Sequence, residues 1–323
     1  MKNNNQHVFF SIGIPAFKLA FLKECIDSVL GQYYVNFELI IVNDNSPDSI
    51  DELVNSYDDS RIRYYKNEVN FGAENVVENW NKCLSIAKGD YFILLGDDDV
   101  LEKNYLYEFH KLILEYPNLN VFHCQSYIIN EFSIKIDITS SLPSYETTIE
   151  NIWHRVNLVR LQYVSDFVYK REEFIRDGGF FKLPLAWGSD DLSSYIAMKD
   201  KGIAHVNLPL LCYRKSSLTI SSTSDNAKLK IKAINRLHDW LVVYLEETTL
   251  VGKDKVLMDS IVSMLPSYTQ KKKIHAMTNS FSSGMFKYLT FWFFNRKTFK
   301  ISIFDIVYAF LVFLKNNHLL LNK

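Results

Sequence analysis

The first hundred residues alternate short apolar runs with segments whose apolar positions recur at helical spacing. Near-continuous apolar runs of this length are typical of parallel strands buried on both faces. Four such runs occupy residues 8–15, 37–42, 62–65 and 91–95. Between them, residues 19–30 and 73–88 have one apolar helical face. Ser46 and Pro47 predict a further helix start after the second strand. The order predicts an α/β sheet with helices packed on it.

Polar side chains collect where these strands end. The first strand is followed by Ala16 and Phe17, the second by Asp44, and the fourth by Gly96 and the residues 97–99. Because open α/β sheets bind ligands at the carboxyl ends of their strands, these residues are candidates for one shared site.

The acidic triplet Asp97–Asp99 carries the first candidate chemistry. Three adjacent carboxylates repel one another, and a divalent cation relieves that repulsion. Oxygen ligands suit Mg²⁺ or Mn²⁺, either of which can bridge a diphosphate and stabilise it as a leaving group. The residues alone leave a second interpretation open, in which the triplet is a solvated loop that caps the helix near Glu102. Asp44 equally suits an ordinary Asx turn before Pro47.

Composition places the chain among globular proteins. Its 323 residues are 48% hydrophobic, enough to bury one large domain and an appendage. The polar residues 1–6 contain no apolar signal-peptide core. The cysteines lie far apart in the sequence, which predicts reduced, mostly buried thiols in a cytoplasmic protein. They are Cys25, Cys83, Cys124 and Cys212.

Charge is divided unevenly along the chain. Residues 271–323 contain nine Lys or Arg and the single Asp305, a net charge of +8, so the rest of the chain sums to −9 within the total of −1. Such asymmetry predicts an acidic or metal-using body joined to a basic tail that favours an anionic surface. Nothing in the pattern points to a nucleic-acid partner.

The C-terminal region has a helical pattern over residues 227–247 and two very apolar runs, 285–294 and 301–314. Both runs are shorter than the ~20 residues that span a bilayer. The second has a narrow polar stripe that includes Ser302 and Asp305. One interpretation is a helix that seals the catalytic domain or a dimer. The other, favoured by the tail charge, is an interfacial helix at an anionic membrane, which predicts a peripheral location at the inner face of the cell membrane.

Several segments resemble family 2 glycosyltransferases. The nucleotide-binding half of these enzymes is matched by three segments of this chain. They are residues 11–18 (SIGIPAFK), 40–48 (IIVNDNSPD) and 70–100, the last of which ends in AKGDYFILLGDDDV. Their acceptor half is matched by VYKREEFIRDGGF, WGSDDLSSYIAMKDKG and LPLLCYRKSSLTIS. The resemblance covers about two thirds of the chain, residues 8–222.

The resemblance implies a fold and a division of the chain. The fold is GT-A-like, with a Rossmann-like mixed sheet flanked by helices. A catalytic domain is expected over residues 1–222, with nucleotide-sugar binding in about 1–103 and the acceptor side in about 104–222. Residues 223–323 form a helical C-terminal region in this scheme.

Donor-side roles follow from the same resemblance. Pro15 and Phe17 line the base pocket, Asp44 bonds the base, usually uracil, and Asn70 and Gly72 approach the nucleotide. Within the triplet, Asp98 corresponds to the metal ligand. The resemblance places Asp97 among the donor-binding residues and Asp99 among the metal-binding residues. Each is expected near the ribose or in the metal's outer shell. Gly96 departs from the family pattern, which often has an Asp there, so assignment within the triplet is open by one residue.

Acceptor-side roles are implied in the same way. Inverting transfer needs a base to take the acceptor's proton, and Asp191 matches that base, with Asp190 beside it. Either Ser189 or Asp190 also suits a helix cap, which is compatible with catalysis. Trp187 is an acceptor-stacking candidate or ordinary loop packing. Arg214 matches a position near the diphosphate, while Ser216 or Ser217 replaces the histidine common in the family.

The resemblance therefore implies an inverting, metal-dependent glycosyltransferase that moves a sugar from a nucleotide-sugar donor, UDP-linked by expectation, to a glycan or lipid-linked acceptor in surface polysaccharide synthesis. The cofactor is Mn²⁺ or Mg²⁺. Two alternatives stay open: a catalytically silent nucleotide-binding scaffold, and a nucleotidyltransferase. The second requires a Gly-rich phosphate loop after the first strand, which residues 15–18 do not provide.

Overall fold

The computed structural model describes residues 7–216 and 226–321, which form a mixed sheet with helices on both faces. The strands are β1 Phe10–Ala16, β2 Phe37–Asn43, β3 Ile62–Lys66, β4 Tyr91–Leu94, β5 Val100–Leu101, β6 Val121–Ile129, β7 Lys135–Ile138, β8 Tyr145–Glu146, β9 Phe167–Lys170 and β10 Ile203–Arg214. The helices are α1 Leu22–Leu30, α2 Ile50–Asn55, α3 Val76–Ile86, α4 Tyr105–Glu115, α5 Thr148–Val156, α6 Arg171–Arg176, α7 Ser189–Met198, α8 Ala227–Glu247, α9 Gly252–Ser280, α10 Met285–Asn295 and α11 Ile303–Leu321.

The strand order is β3-β2-β1-β4-β9-β6-β10-β5, with β7 paired to β6 and β8 to β10. The first four strands are parallel, while β9 is antiparallel to both β4 and β6. Strands β2 and β3 lie on one side of β1, while β4 lies on its other side. The direction in which successive strands are added therefore reverses between the neighbours β1 and β4. Such a switch point is where open α/β sheets bind ligands.

Alternation along the strands builds a separate core on each face of the sheet. On β2, Leu39 and Ile41 pack with α1 and α4, while Ile40 and Val42 pack with α3 and α8. Successive side chains of a strand point to opposite faces, so a strand with consecutive apolar residues supplies both cores. The predicted α/β sheet with helices packed on it is confirmed.

The predicted helix start at Ser46 and Pro47 is wrong by several residues, because α2 begins at Ile50. The Ser46 hydroxyl instead donates to the backbone carbonyl of Phe17 at 2.6 Å and accepts from the Asp48 amide at 3.1 Å. Ser46 therefore ties the segment after β2 to the segment after β1. All four cysteines are buried free thiols, as predicted.

The helices α8 and α9 pack into the core on one face of the sheet. Leu237 and Leu241 of α8, with Ile261 and Leu265 of α9, belong to the same apolar cluster as β2 and β4. A third cluster joins α10 and α11 to one end of α8 and α9. The predicted boundary at residues 222 and 223 lies outside the described residues, so the division into two parts stays a prediction.

The last helix packs with its polar stripe inward. Asp305 and Ala309 of α11 are buried, and Gln270 of α9 donates to Asp305 Oδ1 at 2.5 Å. The inward side of α11 also carries the buried Ile306, which belongs to the third apolar cluster. Its opposite side exposes apolar residues, including Phe304, which is 85% exposed. The sealing helix and the interfacial helix therefore both stay predictions. Within the described residues, no helix combines the length and apolar character needed to cross a membrane.

Candidate active site

The acidic triplet follows β4 and folds back over the end of β1. Asp97 Oδ2 accepts hydrogen bonds from the backbone amides of Phe17 at 2.9 Å and Lys18 at 2.8 Å. Since β1 and β4 are neighbouring parallel strands, these bonds close their carboxyl ends into one polar site. All three carboxylates of the triplet are buried, so the alternative of a solvated loop is wrong.

Lys18 supplies the positive charge nearest the triplet. Its ammonium lies 2.5 Å from Asp98 Oδ2 and 3.2 Å from Asp97 Oδ1. Partial burial acts to lower the pKa of Lys18, but the charges of Asp97 and Asp98 outweigh it and raise the pKa above its ordinary value. Lys18 is thus a cation under all ordinary conditions, placed between two carboxylates.

Asp99 points into the protein. Its Oδ2 accepts from the Ser165 hydroxyl at 2.8 Å and its Oδ1 from the Arg214 amide at 2.9 Å. Burial, followed by the charge of Asp98, raises the pKa of Asp99 well above its ordinary value. This environment suits a carboxyl group that holds the loop in place more than one that presents an oxygen to a ligand.

Arg214 is fully buried and fixes the shape of the acidic loop. Its Nε donates to the Asp98 carbonyl at 2.7 Å, and its Nη2 pairs with Glu24 at 2.6 Å. Nη1 donates to the Asn130 carbonyl and the Ser133 hydroxyl, and the guanidinium lies 4.2 Å from the Phe21 ring centroid. With these donors engaged inside the protein, a direct bond from Arg214 to a diphosphate stays a prediction.

Asp44 lies at the end of β2, on the opposite side of β1 from β4. Its Oδ1 accepts from Asn67 Nδ2 at 2.7 Å, and both of its oxygens accept the Phe71 amide, at 3.1 and 3.2 Å. Lys82 Nζ in turn donates to Asn67 Oδ1 at 2.5 Å. Asp44 is therefore oriented by a network and does more than form a local turn.

Two exposed aromatic residues lie in the segments predicted to bind the donor. Phe17 and Phe71 are both partly exposed, and their backbone amides bond Asp97 and Asp44 respectively. Pro15 is half-buried on β1. Asn70 and Gly72 flank Phe71, and Gly72 has the positive φ of 74° that glycine adopts without strain. The predicted donor residues from both segments thus surround one edge of the sheet.

Asp191 is in the first turn of α7 and is paired with Arg155 of α5. Arg155 donates from Nε to Asp191 Oδ1 at 2.7 Å and from Nη2 to Oδ2 at 3.2 Å. Asp190 beside it is half-buried, and desolvation, followed by the charge of Asp191, raises its pKa to about 7. Neither Asp190 nor Ser189 caps α7 through its side chain, because Gly188 is the N-cap and carries no side chain.

A strained turn precedes α7. Leu185 and Ala186 have φ values of 60° and 54°, and Gly188 has a φ of 90°. Non-glycine residues in this region cost on the order of 1–3 kcal/mol each and are held there by their surroundings. The turn packs against α8 and against residues 73–75 of the donor half. Trp187 is half-buried with the Lys230 ammonium 4.8 Å from its ring centroid, so part of its surface is covered by α8.

Tyr163 lies in the segment that supports the acidic triplet. Its ring stacks on Tyr213 with centroids 3.7 Å apart, next to Arg214 in the chain. Two residues further along, the Ser165 hydroxyl donates to Asp99 Oδ2. Burial raises the pKa of Tyr163 above its ordinary value.

The chemistry of the triplet fits a cation shared with a ligand more than a preformed metal site. No group of three or more metal-ligating side chains is found within residues 7–216 and 226–321. In the same residues, Asp98 Oδ1 is the triplet oxygen with no hydrogen-bond donor. Since Mg²⁺ is often held by one or two carboxylates together with substrate phosphates, Asp98 has the required chemistry.

A family model described as "Glycosyl transferase family 2" matches residues 11–174. The chain belongs to glycosyl transferase family 2. The resemblance inferred from the motifs is confirmed.

Curated relatives of this glycosyltransferase match it over different lengths. It is 27% identical over 227 residues to the Escherichia coli UDP-Glc:alpha-D-GlcNAc-diphosphoundecaprenol beta-1,3-glucosyltransferase WfgD, across 70% of this chain and 81% of WfgD. It is 30% identical over 108 residues to glycosyltransferase GlyG of Streptococcus pneumoniae, across 32% of this chain. The chain spans only 35% of the length of GlyG and 31% of an uncharacterized glycosyltransferase of Rickettsia typhi.

Solved structures show the fold. TarS 1-349 of Staphylococcus aureus, in complex with UDP-GlcNAc, superimposes with a TM-score of 0.65 and 14% identity over 96% of this chain and 92% of that one. The mannosyltransferase PcManGT of Pyrobaculum calidifontis, in complex with GDP-Man and Mn²⁺, has a TM-score of 0.55 and 14% identity over 96% and 88%. The GT-A-like fold is thus confirmed.

Several residues of the site are not apparent from sequence reasoning. Lys18 lies inside a family motif, and its position directly after the first strand is a signal that could have identified it. Phe71 lies between the predicted donor residues Asn70 and Gly72, and its position inside that motif could have identified it. Arg155, Tyr163 and Ser165 lie in segments without a motif, and only the packing of α5 and β9 brings them to the site.

Proposed function

We propose that this glycosyltransferase is an inverting enzyme that moves a sugar from a UDP-linked donor to a hydroxyl of a lipid-linked or glycan acceptor during surface polysaccharide synthesis. The observation that carries the proposal is the buried acidic triplet at the end of β4, which is tied to the end of β1 in a chain of glycosyl transferase family 2. The names of WfgD and of the TarS complex support a UDP sugar, and WfgD supports a lipid-linked acceptor.

The donor half binds the nucleotide in this proposal. Pro15, Phe17 and Phe71 enclose the base, and the fixed Asp44 carboxylate accepts the N–H of a uracil ring. The segment containing Asn70 and Gly72 lies along the nucleotide. Asp97 holds the end of β1 in place through the Phe17 and Lys18 amides.

A divalent cation, Mn²⁺ or Mg²⁺, completes the donor site in this proposal. Asp98 is its protein ligand, while Asp99 and Arg214 hold the loop that presents Asp98. The cation, when bound, stabilises the negative charge that develops on the departing diphosphate.

Asp191 is the proposed base. Its carboxylate takes the proton of the acceptor hydroxyl while that oxygen bonds the anomeric carbon and the bond to the nucleotide diphosphate breaks on the opposite side. Arg155 fixes both oxygens of Asp191 and so determines where the hydroxyl must lie. Trp187 and Asp190 border the acceptor side and are proposed to contact the acceptor sugar.

A panel of UDP, GDP and dTDP sugars, incubated with the protein and Mn²⁺, tests this function through slow donor hydrolysis. We expect hydrolysis of a UDP sugar, unchanged UDP binding in Asp191→Asn, and lost turnover in that variant. Asp200→Asn, at an exposed residue just after α7, is the matched control and should retain activity. Tight nucleotide binding without any turnover by the wild type supports the alternative of a silent scaffold.

The C-terminal helices are proposed to dock on an anionic membrane surface that carries the acceptor. Apolar side chains of α10 and α11 are strongly exposed, with Phe286 and Phe294 both 75% exposed and Phe304 85%. Basic residues accompany them, while the acidic Asp305 is buried against α9. These basic residues are Lys287, Arg296, Lys297, Lys300 and Lys315. An exposed apolar face beside basic residues favours the interface of an anionic bilayer over another copy of the same basic chain.

Flotation with vesicles of neutral or anionic lipid tests the docking surface. The double variant Phe294→Asp/Phe304→Asp should lose binding to anionic vesicles, because it replaces apolar contacts with like charge. Phe132→Asp is the control, since Phe132 is 74% exposed on the catalytic region. Equal flotation of all three proteins overturns the docking surface. Self-association that the double variant abolishes, without vesicle binding, assigns this face to a dimer instead.

A further inference from the structure

Lys18 has a fixed backbone and a side chain with freedom to move. Its amide is bonded to Asp97 Oδ2 at 2.8 Å, which pins the Cα atom at the end of β1. Its side chain remains 26% exposed, and the ammonium is carried on a flexible four-carbon stem. The charged end can therefore change partners without any movement of the sheet.

The ammonium of Lys18 occupies the position in which a cation neutralises the triplet. It lies 2.5 Å from Asp98 Oδ2 and 3.2 Å from Asp97 Oδ1. The other nearby cation, Arg214, is paired with Glu24 and bonded to backbone carbonyls. Lys18 therefore balances the charge of Asp97 Oδ1 and of Asp98 Oδ2, which is one oxygen of the proposed metal ligand.

Lysine has three ammonium donors, and the two carboxylates account for two of them. The third is available to an anionic group that enters the site. A diphosphate presents several oxygens at once, and it brings enough negative charge to compete with Asp98 for the ammonium.

We propose that Lys18 is a tethered cation that makes metal binding conditional on the nucleotide. In the free enzyme it shields Asp97 and Asp98, so a divalent cation binds weakly. When the nucleoside diphosphate arrives, the ammonium turns from Asp98 to a phosphate oxygen and leaves both Asp98 oxygens for the cation. Metal and nucleotide then bind cooperatively. This inference rests on the proposed function, because it assumes that the triplet receives a diphosphate.

Binding measurements on the full chain test the inference without using activity. The Mn²⁺ affinity is measured by electron paramagnetic resonance with and without UDP, and the UDP affinity by calorimetry with and without EDTA. For the wild type we expect Mn²⁺ to bind at least about tenfold more tightly when UDP is present. For Lys18→Met we expect Mn²⁺ alone to bind about tenfold more tightly than it binds to wild type, and UDP in EDTA to bind more weakly. Lys23→Met, at an exposed lysine of α1, is the control and should behave like wild type.

The outcomes separate this inference from the proposed function. If wild-type protein binds Mn²⁺ equally well with and without UDP, and Lys18→Met changes neither affinity, Lys18 is not a conditional cation. If no nucleoside diphosphate binds under any condition, the proposed function itself fails. Lys18→Gln keeps the length of the side chain and serves where Lys18→Met does not fold. Coupling that persists unchanged in a folded Lys18 variant also overturns the inference.

Discussion

Arg155 grips Asp191 through two hydrogen bonds, from Nε to Oδ1 at 2.7 Å and from Nη2 to Oδ2 at 3.2 Å. Asp191 is buried, while the side chain of Arg155 is 16% exposed. The arginine orients the proposed base and leaves the other lone pairs of its oxygens for an acceptor hydroxyl. Breaking a buried pair of this kind leaves the remaining charge uncompensated.

Arg155→Lys should preserve the positive charge but lose the pair of hydrogen bonds to the two Asp191 oxygens. We expect kcat to fall at least about tenfold while the affinity for UDP stays within about twofold, because only the base loses its orientation. Steady-state kinetics and calorimetry on the same preparation check this. Equal loss of kcat and of UDP affinity would indicate a general structural role for Arg155.

Asp190 predicts a pH dependence of turnover. Desolvation and then the charge of Asp191 raise the pKa of Asp190 to about 7. As pH rises through 7, Asp190 loses its proton and adds a second negative charge beside Asp191. That charge favours transfer of the acceptor's proton to the carboxylate pair, so we expect kcat to rise across this interval in wild type. The rise should be absent in Asp190→Asn, which cannot titrate. Profiles that are identical in wild type and Asp190→Asn contradict the prediction, and Asp200→Asn is the control.

Gly96→Ala should disturb the triplet directly. A Cβ atom at this position lies 2.9 Å from Asp99 Oδ2 and 3.3 Å from Asp98 Oδ1, so the carboxylates must shift. Overpacking of this kind costs about 1–3 kcal/mol, and we expect UDP affinity in the presence of Mn²⁺ to fall about tenfold. Gly31→Ala is the control, because its Cβ meets only the Asp27 carbonyl at 3.1 Å on the outer end of α1. Unchanged affinity in Gly96→Ala would show that the loop adapts freely.

A buried polar cluster behind the site predicts acid sensitivity. Burial lowers the pKa of His205 to about 4, against the opposing effect of its hydrogen bond to Glu146. Between pH 6.5 and about 4 the unfolded chain binds a proton that folded His205 does not, so stability is present above this window and lost as pH falls through it. The loss is on the order of 3 kcal/mol at full titration.

Urea unfolding at pH 7.5 and pH 5 measures this effect. We expect the free energy of unfolding to fall less with acid in His205→Gln than in wild type, even if the variant is less stable throughout. His7→Gln, at an exposed histidine, is the control. The same pH slope in all three proteins would assign the acid sensitivity to other groups.

Local patterns along the chain were sufficient for much of the fold. Strands at residues 10–16, 37–43 and 91–94 appear where near-continuous apolar runs predicted them, because strands buried on both faces are mostly apolar. The position of Asp97–Asp99 after a strand also predicted the edge of the sheet where they lie. The start of α2 was misplaced because the Ser46 side chain bonds a distant carbonyl.

The contacts that give the site its chemistry join residues far apart in the sequence. Lys18 meets Asp98 across 80 positions, and Arg214 meets Asp98 across 116. Arg155 reaches Asp191 because α5 packs against α7. Neither composition nor periodicity carries information about such pairs, since each partner has an ordinary local pattern and only the order of strands brings them together.

In the basic, apolar C-terminal tail, the sequence pattern again predicted the elements, and tertiary packing decided their contacts. Its apolar runs determined that residues 285–294 and 301–314 form helices, and its charge was evident from composition. Only packing decided which face of α11 points inward. Gln270 bonds Asp305, the Ala309 carbonyl accepts from Thr278 of α9, and Phe304 stays exposed. The sequence by itself determined the strands, the acidic triplet and the family. The tertiary structure alone decided what neutralises the triplet, what holds Asp191 and which apolar surface stays exposed, because side-chain partners are set by the three-dimensional arrangement of elements and not by their local pattern.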